Sequence, residues 1–447
     1  MAAHRRRTDR DPDDSADAPA PRGPASAARG YPLGAALTVQ TLDRDPHPAL
    51  AALAASEPVS WVPALEGWLV TRYDLALAVM RDPATFTVHD ERFSTARLVG
   101  ASMLSLDGAE HDRHRAPFAA PFRPGVVREH FTAAAQAECD ALLADLAPQG
   151  AGDLRAQLAG PLAARVLTRA LGLDSAQAGE VRGAYEAIVA AVDALTAGRP
   201  LPEAGRDAHA ALARRLTDAI DRAGEESLLG AAAGAVAAAR EPGAPALMPD
   251  ELVANAVVLL FGGIDTTEGM IANALALLLT DPGVRARAAD ASAAGAGGPD
   301  AVDDELLERI MEESLRLEPA AAMVDRYATG ATELGGAAIA KGDLVHVSLT
   351  ATGRDPAVFA DPDRAWLDAP RARGHLAFAQ GPHVCLGVHL ARLETRIALR
   401  GVLRALPGLR LDPDRRPSIR GLVFRKPDAL HTFWDGHPGD SPGNANG

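Results

Sequence analysis

The apolar and polar positions divide the chain into a short strand-bearing start, a long helical middle and a mixed final third. Val59 to Val62 and Trp68 to Thr71 are strand-like runs around Gly67, which predicts a small hairpin. Tyr73 to Arg81 has helical spacing and stops at Asp82-Pro83. Phe86 to Met103 follows no period and reads as an irregular loop of the kind that often binds something. From Gly125 to Ala239 the pattern is helical and alanine-rich, broken at Gly198-Arg199-Pro200-Leu201-Pro202.

Asp250 to Thr280 is the longest periodic stretch, with Pro249 where helices start and Asp281-Pro282 to close it. At 1.5 Å per residue it would run on the order of 45 Å, enough to cross the molecule. Its uninterrupted apolar runs are too short for a bilayer, and Asp265 and Glu268 interrupt them, so no membrane insertion is expected. Residues 289–303 read as a loop, and Asp304 to Leu317 as a helix. Thr332 to Leu349 alternates around Gly335-Gly336 and Lys341-Gly342, a small sheet. Leu386, Leu390, Leu393 and Ile397 then mark one face of a last helix. The fold class expected is mainly α with small β-sheets.

Composition narrows the function. Hydrophobic residues make up 47% and aromatics only 4%, so the core must be Ala, Leu and Val. Lys and Arg number 45 against 59 Asp and Glu, a net charge of -14, which argues against nucleic acid as a partner. Two cysteines, Cys139 and Cys385, cannot build a disulfide framework, which suits a reducing cytoplasm. The first thirty residues hold no apolar segment and are expected to be neither signal nor anchor. Residues 1–35 and 436–447 read as flexible tails flanking one domain, 36–435, expected to be monomeric.

Candidate chemistry gathers at Cys385, between a loop with Gly381 and Pro382 and the start of the last helix. Amide N–H groups at a helix N-terminus favour a thiolate there, which would present the sulfur as a ligand. Two plainer readings stand beside this one: inert core packing, and zinc held with His375, His383 and His389. A second stretch, Phe261-Gly262-Gly263-Ile264-Asp265-Thr266-Thr267, puts two glycines inside a helix at about 1 kcal/mol each relative to Ala. The Thr hydroxyl can replace a backbone bond and open a groove where acid and alcohol form a proton relay; a kinked core helix is the alternative. His111 and Arg115, four apart, share a helical face, as do Glu313 and Arg316, three apart. Arg392, Arg396, Arg400 and Arg404 recur every four residues, either as a solvated stripe or as a patch that steers an acidic electron carrier.

The Cys385 stretch resembles the haem-binding loop of the cytochromes P450, Phe-Gly-x-Gly-x-His-x-Cys-x-Gly. Phe378, Gly381, His383, Cys385 and Gly387 fall on that pattern, while Ala379 replaces its first glycine and His389 stands where proline is usual. The long helix matches Ala/Gly-Gly-x-Asp/Glu-Thr-Thr, and Asp107, His111 and Arg115 match a third motif. The resemblance implies haem b held by the Cys385 thiolate, whose electron donation favours O–O cleavage. It also implies O2 as co-substrate and electrons from NAD(P)H through a ferredoxin and its reductase, since no reductase domain is expected within this length.

It further assigns His111, Arg115, Arg326 and His375 to the haem propionates, and Asp265 and Thr266 to proton delivery beside Gly262. Glu313 and Arg316 become a buried pair completed by Arg364. Substrate contacts would come from Val88, Phe93, Leu98, Phe261, Met323, Val324 and Leu422, with Tyr185, Ile188 and Val192 on a lid helix. The function expected is a monooxygenase hydroxylating or epoxidising a hydrophobic small molecule. Oxidative coupling, peroxide-driven chemistry and a non-catalytic haem sensor are the alternatives, and the acid–alcohol pair argues against the sensor.

Overall fold

The helix Pro249–Thr280 is the axis on which the other elements are laid. The computed structural model describes residues 30–435 except 197–198, 223, 225–226, 239–246, 295–303 and 369–373. Pro249 opens the helix, and Glu251 turns back so that the Met248 N–H donates to its carboxylate at 2.8 Å, satisfying an amide that has no helical partner. At the far end Asp281 accepts from the Gly283 and Val284 amides and starts the helix Pro282–Ala294. The expected loop at 289–303 is therefore helical through 294, and the remainder lies outside the described residues.

The middle of the long helix is covered by Gly160–Ala170, Asp304–Leu317 and Val388–Ala405. At Gly263 a Cβ would lie 2.6 Å from Leu167 Cδ2, so this glycine is what lets the helix Gly160–Ala170 approach. Gly401 does the same for Pro124–Leu146, where a Cβ would meet Leu143 and the sulfur of Cys139. Cys139 is fully buried there and its thiol is pushed up to about 12 by burial, which fits inert packing. The long helix is apolar and long enough to cross a membrane, but 67% of its most apolar window is buried inside the protein.

The sheet is larger than the periodicity implied. Five strands run in the order Val59–Val62, Gly67–Val70, Leu344–Ser348, Met323–Ala328 and Phe86–Thr87. The hairpin around Gly67 is present, with Val59 opposite Val70. Thr332–Leu334 and Ala337–Ile339 form their own hairpin, turned by Gly335 and Gly336 at positive φ. Leu344–Ser348 leaves that pair for the main sheet, parallel to Gly67–Val70 and antiparallel to Met323–Ala328. The Phe86 to Met103 loop is corrected to a short strand plus the helix Ser94–Val99. The N-terminal boundary also moves. Residues 31–35 are ordered because the Tyr31 ring meets Trp68 edge-on at 5.1 Å and the Leu33 and Gly34 amides donate to Glu57. The expected tails otherwise fall on 1–29 and 436–447, outside the described residues.

The cysteine loop is seated on the helix Tyr73–Arg81 through Gly381. This glycine has φ +77°, and a Cβ on it would lie 2.3 Å from the Met80 carbonyl oxygen. The space it leaves is used by neighbouring backbone and not by a ligand. Gly381→Ala is therefore expected to cost about 2 kcal/mol or more, from the left-handed conformation and the clash together. Gly262→Ala should raise helix stability by about 1 kcal/mol, since nothing lies within 4 Å of its Cβ position. Urea unfolding of both variants checks the contrast.

Candidate functional site

A cavity of about 270 Å³ separates the long helix from the cysteine loop. Gly262, Gly263, Thr266 and Thr267 line one wall, and Phe378, Ala379, Cys385 and Gly387 the other. The Thr266 hydroxyl donates to the Gly262 carbonyl, so the backbone bond at this turn is shared with a side chain, as the sequence suggested. Ala379 takes φ +56°, the left-handed conformation that explains the family's glycine at this place.

Cys385 is anchored through its backbone, the amide donating to the Phe378 carbonyl at 2.9 Å. Its side chain is open to the cavity. Protein surrounds that space, so burial pushes the Cys385 thiol above its ordinary value, while the Gly387 amide, Arg115 and Arg392 pull it down. Desolvation therefore works against the thiolate that the helix terminus favours, and a cation bound at the sulfur would favour it. The protein does not supply a zinc site: among the described residues no three His, Cys, Asp or Glu side chains gather for a metal.

Arg115, His111 and Arg326 make few bonds among the described residues. Arg115 lines the cavity and gives one bond to the Val384 carbonyl at 2.6 Å. His111 is 1% exposed, its Nε2 has no partner, and burial lowers its pKa, with His383 and Arg115 adding to the effect. Arg326 is 5% exposed and donates only to the neighbouring Asp325 carbonyl at 2.7 Å among the described bonds. Among the described residues it has no ion pair within 4 Å, and Asp325 is bound by His346 at 2.7 Å.

His383 is held by Asp107 at 2.7 Å and its ring lies 4.5 Å from that of His111. Asp107 also accepts from the Thr87 hydroxyl and the Val88 amide. Burial works to raise the Asp107 pKa, but His383 and Thr87 outweigh it and hold the carboxyl well below its usual range.

The His375 Nε2 faces Glu312 at 3.2 Å and its Nδ1 accepts from the Ala377 amide. Arg392 joins the same carboxylate at 2.6 Å and stacks 4.8 Å from the Phe378 ring centre. Burial alone would raise the Glu312 pKa, yet His375 and Arg392 bring it down to about 2. No sequence signal points to Glu312, whose partners are distant along the chain.

The expected relay is corrected in part. Thr266 lines the cavity, but Asp265 does not: its carboxylate lies 2.5 Å from the ammonium of Lys426. Adjacent helical residues point about 100° apart, which separates acid from alcohol. Glu268, 2% exposed, shares Lys426 at 3.1 Å and pairs with Arg155 at 2.8 Å.

Arg316 binds Glu313 at 2.8 Å as expected. The third member differs. Arg364 contributes its carbonyl, 2.7 Å from Arg316, while its own guanidinium is turned over the Trp366 ring.

Of the substrate contacts expected from resemblance, Val324 lines the cavity. Met323 and Leu422 border a separate small hollow beside Arg425. Val88, Leu98, Tyr185, Ile188 and Val192 are buried in packing that does not reach the cavity, and Phe93 precedes the helix Ser94–Val99. Phe261 sits between Tyr185 and Phe424, 6.1 Å from each. Sequence reasoning missed Met103, Val258 and Glu394, all on the cavity wall. Glu394 is 2% exposed, its Oε2 has no partner, and burial raises its pKa well above the usual value. In the arginine stripe, Arg392, Arg400 and Arg404 are tied to Glu312, Asp304 and Asp140, which weakens the reading of a free basic patch.

The site can therefore hold a broad apolar group that carries a metal facing one thiol and acidic substituents at one edge. Known proteins agree with that shape. The family described as Cytochrome P450 matches residues 220–427. Nocardicin C N-oxygenase of Nocardia uniformis subsp. tsuyamanensis is 34% identical over 429 residues, 91% of this chain and 98% of that protein. Cytochrome P450 monooxygenase PikC of Streptomyces venezuelae is 34% identical over 403 residues, 86% and 91% of the two chains. The crystal structure of HmtN, a post-tailoring hydroxylase involved in himastatin biosynthesis, superposes with a TM-score of 0.72 at 27% identity, covering 86% of this chain and 96% of that one.

Proposed function

The chain belongs to the cytochrome P450 family, and from that premise we propose how its residues share the work and what it acts on. It is a haem-thiolate monooxygenase that uses O2 and electrons from NAD(P)H delivered by external redox partners. The observation that carries the assignment of roles is one thiol open to a cavity, opposite a glycine-lined helix groove, with Arg115 on the wall and a buried His111 Nε2 that has no hydrogen-bond partner.

Bound haem supplies dioxygen activation and the insertion of one oxygen atom into substrate. Cys385 would hold its iron, a cation that would favour the thiolate over the thiol. Arg115, Arg326 and His111 would meet its two carboxylates, and Asp107 fixes the His383 ring. Phe378 and Gly387 border the thiol side, with Arg392 stacked on Phe378. Gly262 leaves the long helix open at the groove, Thr266 holds a proton-bearing hydroxyl there, and Asp265 brings protons from the solvent side.

The substrate is an uncharged hydrophobic small molecule, hydroxylated or epoxidised in secondary metabolism. What supports this is a lining that is mostly apolar, Val258, Leu259, Val324 and Leu349 among it, beside the ionisable Arg115, His383, Cys385 and Glu394. The electron donor is a ferredoxin with its reductase, the protein acts in the cytoplasm, and residues 31–435 form its one haem domain.

Reconstitution with ferredoxin, reductase and isotopically labelled O2 tests this reading. The product is expected to gain one labelled oxygen atom, and Thr266→Ala to divert much of the consumed oxygen to peroxide. An unlabelled product would exclude a monooxygenase, and full coupling in Thr266→Ala would remove the role given to Thr266.

A further inference from the structure

We propose that Asn255 is a positioning residue for the substrate wall: its side-chain oxygen holds the Met103 backbone on the long helix, and His114 locks Asn255 in the orientation that does so. The proposal rests on the reading of the cavity as the haem and substrate site.

Met103 and Leu104 line the cavity, as do Val258, Leu259 and Gly262 of the long helix. Asn255 precedes those three on the same helical face, one turn beyond the cavity. The Met103 amide donates to its Oδ1 at 2.8 Å. That bond joins two walls of the cavity at the backbone. The segment that carries Met103 turns at Gly100 and Gly108, with φ of +89° and +60°, and a Cβ on either would meet nothing within 4 Å. Between those turns the Ser102 amide donates to the Ser105 hydroxyl, and the Ser105 amide to the Ser102 carbonyl. These bonds close the segment on itself, whereas the Asn255 bond ties it to the long helix.

The Asn255 amide is fully committed. Its Oδ1 takes the Met103 amide, and its Nδ2 donates to the Glu251 carbonyl at 2.7 Å and faces the His114 Nδ1 at 2.9 Å. Two backbone partners fix which end of the amide is oxygen, so the third contact is a donor meeting His114. Nδ1 must therefore accept, and the ring proton stands on Nε2. Asn255 and His114 are both buried, and water cannot replace a bond lost between them.

A second proton on His114 would set an N–H against an N–H and break the lock. The charged groups that face the ring are Glu110 and Arg113 of its own helix and Glu251 of the long helix. The helix Leu228–Ala238, packed on the same element, carries no ionisable side chain. Glu251 is itself held by Arg113 at 2.6 Å, and Arg113 lies 3.2 Å from Nε2. Burial lowers the His114 pKa, while Glu251 opposes the shift and Arg113 adds to it. The neutral ring is the folded form. The lock is thus present at neutral pH and weakens as the pH falls from the ordinary histidine value through the lowered one.

The test uses the holoenzyme and two haem-ligand probes, imidazole and the larger phenylimidazole, with binding read from the Soret shift. Asn255→Leu keeps the branched shape without donor or acceptor. It is expected to weaken phenylimidazole about tenfold relative to imidazole, the factor for losing about 1.4 kcal/mol of preorganisation. Asn255→Ala takes its place if that variant does not fold. His114→Leu should follow Asn255→Leu, and His114→Asn, which offers an oxygen near the Nδ1 position, should keep the parental ratio. Acidification from about pH 7.5 to about pH 5.5 should lower the ratio in the parent and not in His114→Asn. A purely structural role would weaken both probes alike, so an unchanged or raised ratio in Asn255→Leu overturns the positioning role. Hydrogen exchange in peptides covering Ser102 to Ser105 reads the bond itself, and it should quicken about tenfold in Asn255→Leu; parental exchange overturns the bond. If neither probe moves the Soret band of the parent, the haem reading fails instead, and exchange alone decides whether Asn255 holds Met103.

Discussion

Cys385→Ser is expected to give a folded protein whose reduced carbon monoxide complex lacks the red-shifted Soret band and whose oxygenase activity falls by orders of magnitude. The two halves of that expectation have separate causes. Cys385 is held by its amide on the Phe378 carbonyl, a bond that serine keeps, and its side chain faces the cavity and not packed neighbours. The stability change should stay within about 0.5 kcal/mol, the usual range for a site without packing contacts. The chemistry is lost because a serine hydroxyl is a far weaker acid than a thiol and does not supply a thiolate's electron density.

Cys139→Ser is the opposite case and serves as the control. Cys139 has no exposure, and its sulfur lies 3.9 Å from the Ile397 carbonyl. A hydroxyl there loses its hydration, so stability should drop by about 1–3 kcal/mol, while the spectrum stays unchanged. Absorbance of the reduced carbon monoxide complex and urea midpoints of both variants check the pair. A persistent red-shifted band in Cys385→Ser would remove the ligand assignment.

What could be read from the sequence follows the range of the forces involved. Cys385, Gly262 and Thr266 are legible because each role is set by neighbours within one helical turn or one loop. Ala379 shows the limit of pattern matching in the other direction: the residue departs from the motif while its φ of +56° keeps the backbone shape. Lys426 is 161 residues from Asp265, and Glu312 is 63 from His375 and 80 from Arg392. No spacing rule connects such partners, so nothing in the sequence sets Asp265 beside Lys426 or His375 beside Glu312.

The pocket residues failed for a different reason. Periodicity tells which side of a helix is buried, but it does not tell whether that side meets another helix or an open space. Ile188 and Val192 are as apolar as Val258, yet only Val258 borders the cavity. Nothing in the spacing marks Met323–Ala328 as a strand, and its pairing with Leu344–Ser348 is what brings Val324 to the cavity and buries Arg326.

The second large effect belongs to Arg316, which carries no chemistry. Its guanidinium binds Glu313 at 2.8 Å and donates to the carbonyls of Gly353 at 3.0 Å, Pro362 at 2.7 Å and Arg364 at 2.7 Å. It is 4% exposed, and the segment it gathers is packed so closely that a Cβ on Gly353 would lie 1.9 Å from the Arg316 carbonyl oxygen. Arg316→Ala takes a donor from three carbonyls and the counter-charge from Glu313, whose carboxylate keeps the Trp366 amide at 2.9 Å. Removing one partner of a buried pair costs about 3–5 kcal/mol, and each orphaned carbonyl adds about 1 kcal/mol or more where water cannot reach it.

A loss of about 5 kcal/mol equals the whole stability of many domains, so Arg316→Ala should yield little folded protein at growth temperature. Arg316→Lys keeps the charge but offers one compact ammonium in place of a planar fork, and it cannot serve Glu313 and three carbonyls at once. It should fall between the parent and the alanine variant in its urea midpoint, with an unaltered thiolate spectrum in whatever folds. Arg364→Ala separates this geometry from the expectation of a third side chain in the pair. Since only its carbonyl is used, it should cost well under 1 kcal/mol, and a loss comparable to Arg316→Ala would show that the guanidinium of Arg364 holds the pair after all.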